Sequence, residues 1–235
     1  MKYSLISIFL VLFQIDSVFQ ALQSLKSGSS TNILLEETFA YPDGELPADW
    51  WSEGAKAIIK GGRLYVDANH TVSTVWLDKE LSGNLRIEYD VHIESSNDNS
   101  NNMNCFFLYS DTTSSPLRDS KELRSSGNYQ LYYGYNGYIF TYVANRKEPA
   151  GGRFRLRDCP GFHLLQENYT YENKKGETYH IKIEKLNERI RFYVDGILMI
   201  DKRDNEQNPI HQSGLFGFRT YHTELWWDNL LITKL

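Results

Sequence analysis

Between Asn84 and Glu94 the chain reads NLRIEYDVHIE, and apolar and polar residues alternate without a break. Leu85, Ile87, Tyr89, Val91 and Ile93 take one face; Arg86, Glu88, Asp90 and His92 take the other. A period of two is the signature of a strand with one side in a core and one side in water. Similar strand signals recur at about ten-residue spacing, and no amphipathic helical stretch of useful length interrupts them, which predicts an all-β sandwich or barrel. The chain has 235 residues, 41% hydrophobic and 14% aromatic, enough apolar material for one such domain.

The folded domain is expected to span residues 32–235. Ahead of it, MKYSLISIFLVLFQ places one lysine before an apolar run from Leu5 to Phe13 that is too short to cross a bilayer with these flanks. Residues 1–21 therefore read as a secretory signal peptide and residues 22–31 as a polar linker, so export to the periplasm or beyond the cell is expected. No later segment reads as a membrane span. The net charge of −5 argues against a nucleic-acid partner. Cys105 and Cys159 could pair in an exported chain, or Cys105, inside the apolar run CFFLY, could be a buried thiol. There is no CxxC pair or dense Cys/His cluster, so no zinc site is expected, and no cofactor is expected to be required. The asparagine-rich loop around Asp98 is the one place for a structural calcium. A monomer is expected.

The stretch Asn128–Gly161 packs tyrosines around Asn136-Gly137 and then delivers Arg146, Arg153, Arg155 and Arg157. Asn-Gly is a strong signal for a two-residue hairpin turn. That hairpin puts Leu131, Tyr133, Tyr135, Tyr138, Phe140 and Tyr142 on a core face. Asn128, Gln130, Tyr132, Thr141 and Asn145 fall on a polar face suited to sugar hydroxyls. In RFRLR, inward Phe154 and Leu156 leave Arg153, Arg155 and Arg157 pointing out together. Like charges on one strand face repel, so the arrangement makes better sense opposite an anion. In GLFGFRT, inward Phe216 and Phe218 leave Arg219 facing away with Tyr221, and His222 follows closely.

A late YVDG hairpin, GLFGFRT and the terminal WWDNLLI resemble the concanavalin-A-like jelly rolls, two antiparallel sheets packed as a β-sandwich. With NCFF, YYGYNG and RFRLR added, the chain resembles an uncharacterised bacterial jelly-roll family from loci that degrade uronic-acid polysaccharides such as pectins and ulvan. The resemblance covers about Asn32 to Leu235. It implies kinship to jelly-roll polysaccharide lyases and to oligosaccharide dehydratases, hence β-elimination on a uronate. Arg153, Arg155, Arg219, Gln130 and Asn104 are the candidates to neutralise the carboxylate, with Asn128 and Asn145 as further sugar contacts. Tyr132, His92 and His222 are the candidates to move protons. The family is expected to carry a histidine where this chain has Glu224, two positions beyond His222. The alternatives are a non-catalytic carbohydrate-binding module and a glycoside hydrolase. The latter fits poorly: Glu88 and Glu94 lie about 20 Å apart on an extended strand, beyond the roughly 5–10 Å that paired hydrolytic carboxylates need.

Overall fold

The alternation is realised as fifteen strands among the described residues, 32–145, 151–204 and 207–235, of a computed structural model. They are β1 (Asn32–Glu37), β2 (Trp50–Gly54), β3 (Ile58–Ile59), β4 (Leu64–Asp67), β5 (Val72–Ser82), β6 (Leu85–Ser96) and β7 (Asn104–Ser110). There follow β8 (Asn136–Asn145), β9 (Gly151–Cys159), β10 (His163–Thr170) and β11 (Thr178–Leu186). The last four are β12 (Arg189–Val194), β13 (Ile197–Arg203), β14 (Ser213–Tyr221) and β15 (Thr223–Lys234). The segments expected to be a signal peptide and linker, residues 1–31, and Arg146 lie outside the described residues.

The strands form two antiparallel sheets. The back sheet runs β13-β12-β11-β6-β15-β4-β3, with β1 also on β15; the front sheet runs β10-β9-β8-β7-β14-β5-β2. Non-consecutive neighbours, such as β6 beside β11 and β7 beside β14, mark the crossovers of a jelly-roll β-sandwich. Inward residues of both sheets build one core: Ile87, Tyr89 and Val91 from β6 and Ile181 and Ile183 from β11 face Phe140 and Tyr142 from β8, Phe154 and Leu156 from β9, and Phe216 and Phe218 from β14. The β11–β13 meander turns at Asn187 (φ 53°) and, in the YVDG hairpin, at Asp195-Gly196 (φ 49° and 77°).

A second apolar cluster lies on the outer side of the front sheet. Trp51, Trp76, Phe106, Tyr109 and Ile139 point outward from the strands and are covered by Leu117 and Tyr132. The covering segment between β7 and β8 contains two short 3₁₀ turns, Leu117–Arg124 and Tyr129–Tyr132.

This cover overturns the tyrosine hairpin. Asn136-Gly137 does not turn the chain; it opens β8, which pairs with β7 on one side and β9 on the other. The glycine is needed for close approach: a Cβ at Gly137 would stand 2.8 Å from the Leu108 carbonyl oxygen and 2.4 Å from the Tyr109 ring. Tyr138, Phe140 and Tyr142 are core as expected, but Leu131 is exposed, and Tyr133 and Tyr135 belong to the outer cover. Trp50 and Trp51 sit in β2, and the segment after Gly161 is the edge strand β10. Both cysteines are free and buried, Cys105 between the sheets and Cys159 in the outer cluster, so they do not pair.

Candidate functional site

The register of the front sheet aligns one residue per strand into a row across its outer face. Glu53 stands opposite Thr74, Thr74 opposite Arg219, and Arg219 opposite Asn104. Cys105 pairs with Phe140, which brings Asn104 beside Thr141; Thr141 stands opposite Arg155 and Arg155 opposite Glu167. Alternation turns Arg153 and Arg157 to the same side, since Phe154 and Leu156 are fully buried in the core.

Glu53 anchors the cover. Its carboxylate accepts from Arg124 Nη2 (2.9 Å) and Nε (3.1 Å), from Trp76 Nε1 (3.0 Å) and from Tyr132 Oη (2.7 Å). Arg124 also donates to the Leu117 carbonyl at 2.7 Å. A buried carboxylate is tolerated only when paired and hydrogen-bonded like this. The network fixes the second 3₁₀ turn on the sheet, and Asn128 closes that turn by accepting from the Gln130 N–H at 3.2 Å. Tyr129, the first residue of the turn, is thereby held over the middle of the row.

Tyr129 Oη meets Thr141 Oγ1 at 3.5 Å, and the Arg219 guanidinium lies 4.6 Å from the Tyr129 ring centroid. Arg219 is 2% exposed, donates to Thr74 Oγ1 at 2.7 Å, and also lies under the Tyr132 ring at 5.1 Å. Among the described residues no carboxylate pairs with it. Burial pulls its pKa down, with the surrounding tyrosines acting in the opposite sense. Arg155 approaches from β9; burial and the neighbouring Arg153 and Arg157 lower its pKa, against the pull of Tyr129 and of Glu167 on the next strand, and its Nε is buried with no acceptor. Arg157 stacks on Phe162 at 4.0 Å, donates to the Phe162 carbonyl at 2.9 Å, and has a buried Nε without an acceptor. Phe162 in turn stacks on Tyr133 at 3.8 Å, and Tyr133 meets Tyr129 edge-on at 5.4 Å. Two phenols and three guanidiniums therefore converge at one place. Beside them opens a cleft of about 450 Å³ lined by Val72, Ser126, Asn128, Tyr129, Arg219 and Tyr221.

Burial raises the pKa of Tyr129, outweighing the lowering by Thr141, Arg219 and Arg155. Tyr133 is also raised by burial, against the pull of Arg157, Arg219 and Arg155. The arginines temper these phenols but do not bring them below the ordinary tyrosine range.

The structure brings Arg219, Arg155, Asn104 and Asn128 to this face and separates them from the expected proton carriers. Asn104 Oδ1 accepts from the Tyr142 N–H at 3.1 Å. Arg153 is held by Glu167 at 2.6 Å. Gln130 is exposed in the 3₁₀ turn, and Asn145 ends β8 opposite Gly151. Tyr132 is fully buried with its hydroxyl committed to Glu53, so it anchors the cover and does not line the cleft. His92 lies on the outer face of the back sheet, stacked on Trp226 at 5.0 Å and bonded to Thr178 Oγ1 at 2.9 Å. It stands on the opposite side of the sandwich from Arg155. His222 occupies the turn between β14 and β15 (φ 51°), with Nδ1 3.3 Å from Asp98 and its ring against Tyr221; Glu224 lies beyond it, in the back sheet. Tyr129, Tyr133 and Arg157 were not among the sequence-derived site residues. The available signal was Gly127-Asn128, which marks a turn and breaks the strand pattern before the tyrosines.

Fold and site together define a jelly-roll sandwich with a cluster of arginines and tyrosines on one outer sheet face, beside a cleft that Tyr129, Tyr221 and Arg219 help to line. Residues 67–230 match the model of the family described as "Domain of unknown function (DUF6250)", and the chain belongs to that family. No curated protein matches it in sequence. Among solved structures it is similar to a Bacillus subtilis protein of unknown function with a galectin-like fold (16% identity, TM-score 0.74, covering 88% of this chain and 97% of that one). It is also similar to the carbohydrate-binding module CBM66 from Bacillus subtilis (17%, 0.58, 82% and 100%). A third similar structure is the alginate lyase Aly36B, solved as a variant in complex with alginate trisaccharide (16%, 0.54, 86% and 98%).

Proposed function

We propose that the protein binds uronic-acid-containing oligo- or polysaccharides over the outer face of the front sheet and cleaves them by β-elimination. The observation that carries this reading is the pair Arg155 and Arg219, two largely desolvated guanidiniums without carboxylate partners among the described residues, Arg219 against the Tyr129 ring and both acting on the charge of that phenol. The similarity to an alginate lyase and a carbohydrate-binding module supports a sugar as the ligand.

In this reading a uronate carboxylate sits between Arg155 and Arg219. Neutralising its charge makes the C5–H acidic, because the developing negative charge passes into the carboxyl group. Tyr133, with three guanidiniums favouring its ionised form, takes the C5 proton. Tyr129, held protonated by burial, gives its proton to the oxygen leaving C4. The C5–H electron pair becomes the C4=C5 double bond as the C4–O bond breaks. A sugar on that oxygen makes the enzyme a polysaccharide lyase; a free hydroxyl makes it a dehydratase.

Hydrolysis is less well supported. Glu53 and Glu167 end the row in β2 and β10, six strand spacings or about 29 Å apart, and hydrolytic pairs sit within about 10 Å. Each is moreover bound to an arginine. A non-catalytic binding module is the second reading, favoured by the raised pKa of both phenols and by the absence of a histidine among the described residues lining the cleft.

Incubation with alginate, pectin and ulvan oligomers, followed by the ultraviolet absorbance of the unsaturated uronate, tests the proposal. Measurable binding without any rise in absorbance rejects elimination in favour of the binding module. Mass spectrometry separates shortened chains from loss of one water.

A further inference from the structure

The arginines on this face are not equivalent. Arg124 is paired with Glu53, Arg153 with Glu167 and Arg118 with Asp78. Arg155, Arg157 and Arg219 have no carboxylate partner among the described residues, and Arg155 and Arg157 each keep a buried Nε with no acceptor. Three cations gathered around two phenols are an unfavourable arrangement without counter-charge, and a donor out of reach of water adds to the cost. One uronate carboxylate brings a single negative charge, fewer than the two positive charges of Arg155 and Arg219, so it leaves Arg157 uncompensated.

Arg157 stands apart from that pair. It lies two residues along β9 from Arg155, about 7 Å further on. It leans on Phe162, whose ring stacks on Tyr133. Phe162 is therefore sandwiched between Arg157 and Tyr133, which holds the Arg157 guanidinium in place at the end of an aromatic stack. The guanidinium edge supplies the polar contact.

Resting on the acidic-carbohydrate reading above, we propose that the site takes a ligand with two closely spaced anionic groups, the uronate carboxylate at Arg155 and Arg219 and a second anion at Arg157. The second group is a sulfate ester or the carboxylate of the adjoining sugar. Both present oxygens that a guanidinium fork binds in the same way.

The test compares three oligosaccharides of equal length by calorimetric titration at one low ionic strength, where charge pairs are least screened. Desulfated chondroitin carries isolated carboxylates, sulfated chondroitin adds a sulfate, and oligogalacturonate carries a carboxylate on every sugar. The native protein is expected to bind one or both of the denser ligands about ten- to a hundredfold more tightly than desulfated chondroitin. Which of them gains identifies the second anion. In Arg157→Gln the advantage should shrink to about threefold or less, while affinity for desulfated chondroitin changes by about twofold or less. The comparison is a ratio within one variant, so a smaller folded fraction does not alter it. Equal affinities in the native protein, or an undiminished advantage in Arg157→Gln, overturn the two-anion site and leave the acidic-sugar reading standing. Failure of all three ligands to bind overturns both.

Discussion

The two outer faces of the sandwich are made by the same alternation and carry similar residue types, yet they treat charge in opposite ways. On the back sheet basic side chains find carboxylates: Arg86 with Glu184 at 2.9 Å, Arg189 with Asp201 at 2.6 Å, His180 with Asp90 at 2.8 Å. Its exposed tryptophan edge is occupied too, since Trp226 carries both the Arg63 guanidinium at 4.0 Å and the His92 ring. On the front sheet Glu53 and Glu167 are spent on Arg124 and Arg153, and three arginines are left over among tyrosines. Surface pairs like those of the back sheet contribute little stability, but each leaves its own two charges matched. Desolvated, unmatched cations cost stability, and a fold keeps them where something else gains from them.

The strongest way to break this contrast is through the cover that makes the front face concave. Arg124→Met leaves Glu53 buried with neutral donors only. Losing one partner of a buried pair should destabilise the protein by about 3–5 kcal/mol, measured by urea unfolding. Uronate binding should fail with it, because Tyr129 rides on the segment that Arg124 holds down. A loss below about 1 kcal/mol would mean that the cover is held by its apolar contacts alone.

Arg219→Met should separate function from stability. Affinity for a uronate oligomer is expected to fall by about ten- to a hundredfold, the range for a hydrogen bond to a charged group. The ligand-free protein should become more stable by about 1 kcal/mol, since an unpaired buried cation is replaced by an apolar chain of similar reach. The same experiment on the back-sheet residue Arg86 should lower stability slightly and leave affinity alone. If Arg219→Met destabilises as Arg86→Met does, the two faces are not different in kind.

The sandwich was legible because a period of two survives in any strand with one wet face; NLRIEYDVHIE, RFRLR and GLFGFRT all fold as they read. The outward arginines were legible for the same reason. The tyrosines were not. Asn136-Gly137 carries the local chemistry of a hairpin turn, but its glycine is there to pass the Leu108 carbonyl, a contact with a residue far earlier in the chain. Tyr132 and Tyr129 look alike in sequence, and only Glu53, distant in the chain, decides that one is buried while the other meets Thr141. His92 lies in the back sheet, which the sequence does not reveal, because alternation tells which residues share a face but not which sheet owns it.

Titration offers a gentler test. Burial raises the pKa of Tyr129 and Tyr133 on the front face. A group raised in the folded state contributes stability that is complete below its unfolded value and is lost as pH rises through the folded one. Stability should therefore hold up to about pH 9 and decline above about pH 10, the ordinary tyrosine value. Tyr129→Phe should flatten that decline. On the back sheet Glu224 is held below its ordinary pKa by Tyr65, Ser95 and Asn69, so its contribution is present above about pH 4.5 and fades as pH falls through its depressed value. Glu224→Gln should soften the acid limb and leave the alkaline limb unchanged. The pH dependence of turnover should rise toward alkaline pH if Tyr133 is the base, and Tyr133→Phe should abolish that rise along with the activity.

The smallest expected effect is the sharpest test of which face matters. His92 has the chemistry of a proton carrier, and its ring is within reach of solvent, but its position opposes the cleft across the full thickness of the sandwich. His92→Ala removes a ring stacked on Trp226 and a bond to Thr178. That should cost about 0.5–1 kcal/mol of stability and change uronate affinity and turnover by no more than about twofold. A tenfold fall in either, with stability nearly intact, would place the ligand over the back sheet. The unmatched arginines of the front sheet would then need another explanation.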